Sequence, residues 1–345
     1  MEIRRVGVDL AKDVFQVHGV DGREKAIWQK RLRRREWLAE LQKRVPEGAE
    51  IGMEACAGAH HWGRELTARG YRVKLMAPQF VKPYVKSNKS DRNDAAAICE
   101  AMSRPSMRFV PLKSIEQQDV LAVHRVRSEL VKQRTAKVNQ IRGLVGEHGL
   151  VAPKSVDALR KALSWWLEDA SNGLSPRFRR LLVGLSNDLR HLDGRIKEQD
   201  DELATIMKES PAAQRLMALR GVGPITATAL VATLGSGEGF VRGRDFAVTL
   251  GLTPKHHGTG GKERILGISK RGDAYLRTLL IHGARAAVWA ARGKTDPLSR
   301  WINGLGERRH NNVVAIALAN KTARMAWALL RHEREYDESW SAAAA

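Results

Sequence analysis

Four carboxylates in the first hundred residues have the types and spacing of a metal site. In Val6-Gly7-Val8-Asp9 the alternation of a strand puts Val6 and Val8 on one face and Gly7 and Asp9 on the other. Ile51-Gly52-Met53-Glu54 repeats the arrangement, with Gly52 and Glu54 sharing a face. If the two strands are neighbours, Asp9 and Glu54 stand side by side, with space left by the glycines. Asp91 and Asp94 are three apart on a predicted helix, hence on one face of it. Clustered carboxylates raise one another's pKa unless a cation neutralises them. Hard oxygen donors suit magnesium, and two such ions about 3.5–4 Å apart hold the attacking and leaving oxygens of a phosphodiester. Read singly, the acids have plainer roles: Asp91 as a helix cap with Asp94 completing a capping box, and Asp9 as a turn residue. Together they favour a site for magnesium, two ions per site, with manganese able to substitute.

The elements that must position these acids read as a mixed α/β sheet. Residues 3–9 read as a strand and 15–20 as its hairpin partner, with Asp21-Gly22 as a turn. A helix follows at 36–43, a strand at 50–55, a helix at 60–69 ending at Gly70, a strand at 71–76 and a helix at 90–103. From 115 to 148 the pattern is helical, with Leu121, Leu130, Val138, Ile141, Leu144 and Val145 on one stripe and Gly149 as its cap. A second run carries Leu185, Leu189, Leu192, Ile196 and Leu203 near heptad spacing. The two runs are either antiparallel core helices or a coiled-coil arm. Residues 217–235 read as helix, Gly-Val-Gly turn, helix, with Pro224 in a first helical turn. The amides of Gly221 and Gly223 are then candidates to face a phosphate at a helix N-terminus, as in a helix–hairpin–helix unit; a plain helical corner is the alternative.

Composition points the same way. The 345 residues carry 59 Lys plus Arg against 38 Asp plus Glu, a formal charge of +21. That excess sets aside an ordinary near-neutral metabolic enzyme and points to a polyanion, nucleic acid ahead of a membrane surface. The net charge is +8 over 1–108, +3 over 109–205 and +10 over 206–345. Two basic lobes joined by a helical connector are expected, with those bounds as domains. A hydrophobic content of 43% excludes wholesale disorder. Two cysteines exclude a disulfide scaffold, and Cys56 and Cys99 read as small core residues. No run of about eighteen apolar residues is evident, so no membrane-spanning helix is expected. Without an apolar leader a cytoplasmic setting follows, and the tail Ser-Trp-Ser-Ala-Ala-Ala-Ala reads as frayed.

Three stretches carry a resemblance: Val-Gly-Val-Asp-Leu-Ala-Lys-Asp (6–13), Met-Glu-Ala-Cys-Ala-Gly-Ala (53–59) and Lys-Ser-Asp-Arg-Asn-Asp-Ala (89–95). Near the other end stand Gly-Leu-Thr-Pro (251–254), Gly-Gly-Lys-Glu-Arg-Ile-Leu-Gly-Ile-Ser-Lys-Arg-Gly-Asp (260–273) and Tyr-Leu-Arg (275–277) running into Leu-Leu-Ile-His-Gly-Ala-Arg (279–285). In this order they resemble the Asp-Glu-Asp-Asp transposases of the insertion sequence 110/1111 family over nearly the whole chain. The resemblance implies a RuvC-like, ribonuclease-H-type first lobe, a helical or coiled-coil connector and a mainly helical C-terminal transposase domain. It implies a recombinase that excises and inserts its own element, acting on the element ends and target DNA. Asp9, Glu54, Asp91 and Asp94 carry over as the catalytic, metal-holding acids.

The family also uses a serine nucleophile just before the Gly-Gly-Lys stretch. Thr259 stands there, within His256-His257-Gly258-Thr259-Gly260-Gly261. Threonine keeps the hydroxyl for attack on phosphorus, while its methyl crowds the approach and restricts χ1. Ser269, in its Ile-Ser-Lys-Arg turn, is the second candidate and otherwise a cap or phosphate contact. The resemblance further implies a homodimer or homotetramer with a site assembled between subunits, and a guide non-coding RNA read as a duplex by shape. Lys262, Arg264, Lys270, Arg271 and Arg277 are the phosphate-contact candidates; singly, each reads as solvated charge.

His60-His61 could be metal ligands but read better as the start of a helix, and His256-His257 could supply a general base or a phosphate contact. Trp165-Trp166 reads as helix packing before base stacking. Arg31, Arg33, Arg34 and Arg35 read as a solvated face or an RNA contact. Two rival functions use the same acids differently. A RuvC-type structure-specific endonuclease would let water attack, and a non-catalytic DNA-binding protein would cleave nothing.

Overall fold

A computed structural model describes residues 2–86 and 90–337. Lys89 of the third motif and the alanine-rich tail lie outside the described residues. The chain divides into two compact units, Met1–Ile115 and Glu116–Ala345.

The first unit runs β1 (Arg5–Leu10), β2 (Val14–Val20), β3 (Ala26–Arg33), α1 (Trp37–Arg44), β4 (Glu50–Glu54), α2 (Ala59–Thr67), β5 (Arg72–Met76), α3 (Pro78–Val81), α4 (Asp91–Met102) and β6 (Phe109–Val110). Its six strands form one mixed sheet in the order β3-β2-β1-β4-β5-β6. The first three are antiparallel neighbours, β1, β4 and β5 are parallel, and β6 is antiparallel to β5. Alternation decides the layers. Val6, Val8, Ile51 and Met53 are buried with Trp37 and Leu41 of α1 and Leu66 of α2. The glycine-bearing face takes α4, whose Ala97, Ile98, Ala101 and Met102 are buried with Met76 and Val81. Phe15, Trp37 and Trp62 meet edge to face at 5.0–5.5 Å between ring centres, and the Arg34 guanidinium lies over Phe15 and Trp62.

The second unit opens with α5 (Ile115–Gly146), α6 (Val156–Glu168) and α7 (Pro176–Glu209). Ion pairs Arg127–Asp200, Arg134–Asp193 (3.4 Å) and Lys137–Asp188 (3.0 Å) run in opposite order along α5 and α7, so these helices are antiparallel. Val138, Ile141 and Val145 of α5 are buried with Leu159, Leu163 and Trp166 of α6 and Leu182, Leu185 and Leu189 of α7. Trp166 thus packs as expected, while Trp165 is exposed.

There follow α8 (Pro211–Leu216), α9 (Pro224–Leu234), α10 (Gly243–Thr249), β7 (Pro254–Thr259), β8 (Lys262–Ile268), α11 (Ala274–Ala290), α12 (Pro297–Gly306) and α13 (Asn311–Arg331). By length and composition α13 meets the requirement for a bilayer span, with 56% of its apolar window buried inside the structure. Val314, Leu318, Ala319, Ala323, Ala326 and Leu329 of α13 are buried in the core with Leu230 of α9, Phe246 of α10 and Leu280 of α11. Its apolar character is that of a helix buried inside a folded unit.

A buried polar network pins α5 to this core. His124, 1% exposed, meets the Tyr275 hydroxyl through Nδ1 at 3.0 Å and the Thr228 hydroxyl through Nε2 at 3.1 Å. Burial, and then the charge of Arg127, push the imidazole down to about 4. The unfolded chain takes up this proton near the ordinary value of 6.5, so stability is full above that pH and falls as pH drops toward 4. Urea unfolding at pH 5 is expected to show about 2 kcal/mol less stability than at pH 7 from this residue. His124→Gln should flatten that dependence. An unchanged slope in the variant would remove His124 as its source.

Candidate active site

The register of β1 on β4 pairs Gly7 with Gly52 and Val8 with Met53. Asp9 and Glu54 follow in step at the C-terminal ends of two adjacent parallel strands, as the repeated Gly-X-acid pattern predicts. The space above the glycines, however, is taken. A Cβ on Gly7 would lie 2.3 Å from the Ala95 carbonyl oxygen and 2.6 Å from the Cys99 nitrogen, and one on Gly52 2.7 Å from Met102 Sδ. The glycines seat α4 rather than leave room for an ion.

That seating brings the helix's first turn to the strand end. Ser90 is the cap, its Oγ accepting the Asn93 N–H at 3.3 Å. Asp91 and Asp94 are therefore first-turn residues, and the reading of Asp91 as a cap falls away. One carboxylate oxygen from each of Asp9, Asp91 and Asp94 lies within 4.8 Å of the others. Glu54, half-buried on the neighbouring strand, is not part of that trio. The positive end of the α4 dipole favours the two anions at its start. Three carboxylates drawn this close are a hard, all-oxygen donor set, and they fit a divalent cation of the magnesium type.

The cysteines part company. Cys99 is buried, and burial pushes its thiol up to about 12. Cys56 is exposed, contrary to the core reading, because it follows Glu54 in the turn beyond the sheet. Partial burial, and then the charges of Glu54 and Asp9, push its thiol up. His60 and His61 lie in the first turn of α2, where His60 Nδ1 accepts the Lys113 N–H at 3.2 Å.

The signatures of the second unit form two tight backbone crossings. Gly251, at φ 65°, would place a Cβ 2.3 Å from the Arg271 carbonyl oxygen; Gly272, at φ 79°, would place one 1.8 Å from that of Thr249. Only glycine tolerates both the conformation and the approach. Arg277 Nη1 donates to the Leu250 carbonyl at 2.9 Å and the Arg271 carbonyl at 3.2 Å, tying the crossing. Ser269 sits at this base: its N–H donates to the Thr253 carbonyl at 2.8 Å, and its Oγ faces the Arg271 N–H at 3.5 Å. The second crossing joins Gly221 to Gly283, each leaving under 2.5 Å between its would-be Cβ and the other's carbonyl oxygen. Gly221 thus serves packing against α11. Gly223, which precedes Pro224 at the start of α9, has open space. Arg220 beside it is held by Asp296 at 2.9 Å and by the Ser299 hydroxyl at 2.8 Å.

From the first crossing projects a β-hairpin. Gly260 and Gly261, at φ 54° and 78°, make its two-residue turn, and Thr259 pairs with Lys262 across it. Every residue of β7 is exposed, Thr259 included. Lys262 and Arg264 lie on β8, and Lys270 and Arg271 are exposed beyond it. The missed signal was the Gly-Gly pair between two extended runs.

Known proteins bear both on the acidic cluster and on the glycine-turned hairpin. Residues 6–149 match the Asp-Glu-Asp-Asp transposase model of the IS110 type, described as "Transposase". Residues 213–297 match the "Transposase IS116/IS110/IS902 family". The chain is 50% identical, over 97% of its length and 99% of the relative's, to the "Probable family 20 transposase" of Pseudomonas aeruginosa. It is 45% identical, over 97% of its length and 92% of the relative's, to the "Transposase for insertion sequence element IS1111A" of Coxiella burnetii. A third relative, the "Transposase for insertion sequence element IS1328" of Yersinia enterocolitica, is 41% identical over 93% of this chain and 95% of its own. The fold and these likenesses define a transposase, an enzyme of DNA recombination with an Asp-Glu-Asp-Asp-type domain that implies a divalent metal. Specifically, the chain belongs to the IS110/IS1111 transposase family.

The seating of α4 makes a sharp prediction. Gly7→Ala should destabilise the first unit by roughly 2 kcal/mol or more and weaken Mn2+ binding, measured by thermal unfolding and calorimetric titration. Gly22→Ala, where a Cβ meets nothing within 4 Å, should change neither. Normal Mn2+ binding by folded Gly7→Ala protein would count against α4 seating as what assembles the trio.

Proposed function

We propose that this transposase cuts and rejoins DNA through a covalent protein–DNA intermediate on Thr259. The observation that carries the proposal is the convergence of Asp9, Asp91 and Asp94 at the end of β1. Ser90 already caps the helix, so capping does not account for the two acids of its first turn. The first unit is of the RuvC-like, ribonuclease-H type, a reading supported by its mixed sheet with acids at adjacent strand ends. Asp9, Asp91 and Asp94, joined by Glu54 from the next strand, hold magnesium, two ions per site. Bound there, the cation neutralises charge on a scissile phosphate and stabilises the charge that develops during its transfer.

The chain's own groups do the rest. Thr259 supplies the attacking hydroxyl from an exposed hairpin tip, so the broken phosphodiester is conserved as a protein ester. Lys262, Arg264, Lys270 and Arg271 grip phosphates, and the Gly223 end of a helix–hairpin–helix element adds a backbone contact. We assign catalysis to 1–108, a coiled-coil connector to 109–205 and the nucleophile to 206–345. The acids and Thr259 belong to a composite site completed in a homodimer or homotetramer. The protein acts in the cytoplasm on element ends and target DNA, and a non-coding RNA guides it; two relatives are named as transposases for insertion sequence elements.

The test is a trap for covalent adducts. Protein, Mg2+, RNA from the flanking non-coding region and DNA bearing the element junction are incubated, denatured and mapped by mass spectrometry. An adduct on Thr259 is expected, reduced at least a thousandfold in Thr259→Ala and Asp9→Ala and retained in Thr259→Ser. An adduct on Ser269 would move the nucleophile. Cleavage without an adduct would favour the water-using endonuclease, and binding without cleavage the non-catalytic protein.

A further inference from the structure

The register of the hairpin sorts the side chains around Thr259 into two sets. Thr259 pairs with Lys262, His257 with Arg264, Gly258 with Glu263 and His256 with Ile265. Paired residues of an antiparallel ladder point to one face, and neighbours along a strand alternate. One face therefore carries His257, Thr259, Lys262 and Arg264. The other carries His256, Gly258, Glu263 and Ile265. The hairpin's one acid, Glu263, lies on the face away from the hydroxyl, and all these residues are exposed. Placing Lys262 and Arg264 on the hydroxyl's side and Glu263 on the other makes the former the side that meets a phosphodiester.

Resting on the assignment of Thr259 as nucleophile, we propose that this is the phosphoryl-transfer face and that His257, not His256, is the general base for the Thr259 hydroxyl, with Lys262 and Arg264 on the phosphate oxygens. A threonine hydroxyl is a weak nucleophile until a base takes its proton, and imidazole exchanges a proton near neutral pH. Two residues along a strand span about 6.6 Å, a gap that an imidazole bridges directly or through one water. His256 is adjacent in sequence but emerges on the reverse side. Lys262, directly opposite Thr259, stands about 5.5 Å away, and Arg264 offers a forked pair of donors to the same phosphate. In the step, the Thr259 Oγ1–P bond forms as the bond from phosphorus to the leaving deoxyribose oxygen breaks. The hydroxyl proton passes to His257 and then to that leaving oxygen, so the step is neutral overall.

The test compares His257→Gln with His256→Gln in the adduct assay from pH 5.5 to 8.5. His257→Gln should slow adduct formation by about 10²–10³-fold and abolish the fall in rate on the acid side. His256→Gln should stay within about threefold of the parent with the parent's profile. The acid limb is assigned to His257 by its loss in His257→Gln together with its survival in His256→Gln. Equal effects of the two variants, or an acid limb that survives in His257→Gln, would overturn the assignment. An adduct that persists in Thr259→Ala would instead overturn the nucleophile itself. Diethylpyrocarbonate labelling gives a readout without turnover. Junction DNA should protect His257 while His256 stays reactive, and equal or reversed protection would refute the proposal.

Discussion

The acidic site depends on one steric constraint, the contact of a helix backbone with a strand at Gly7. With any side chain there, α4 would have to stand off from β1, since the Ala95 carbonyl and the Cys99 amide occupy the position of a Cβ. Because the helix does seat, its first turn reaches the strand end and Asp91 and Asp94 come to Asp9. Cys99 and Met102 fill the remaining volume over Gly7 and Gly52. The closeness of three carboxylates is thus imposed by packing elsewhere in the first unit, and such a cluster suits a divalent cation.

The second unit uses the same device for another end. Glycine pairs at 251/272 and 221/283 let backbones cross where side chains would collide, and the first of these crossings is the platform from which the hairpin projects. Arg277 and Ser269 stiffen that platform by bonding its backbone. Signature residues that look chemical in the sequence are therefore divided in labour. Some present groups outward, and others hold the loop that presents them.

Much of the first unit was legible because alternation and period reveal elements buried on one side. Val6 and Val8 against Gly7 and Asp9 announce β1, and Ser90 announces the start of α4. Elements with little burial stayed hidden. β3 buries only Trp28 and Leu32 and otherwise reads as polar, and β6 is two residues held by pairing to β5. The β7–β8 hairpin is exposed on both faces and has no apolar alternation to read. The acids themselves were readable from spacing. The role of the glycines beside them was not, since a gap in one strand's side chains does not say what fills it. The packing role of Gly221 was hidden in the same way, its partner Gly283 lying far along the chain.

The place of α13 in the chain carries a consequence for biosynthesis. The core of the first unit draws on consecutive residues up to about the start of α5, and it can close while the rest is still being translated. The core that contains α13 cannot, because α9, α10 and α11 bury their apolar faces with a helix that follows all of them. At roughly 5–20 residues per second, the apolar face of α9 waits on the order of 5–20 s for its cover. During that interval the nascent chain holds a finished acidic site beside an unfinished second unit, and it is then that chaperones have most to bind.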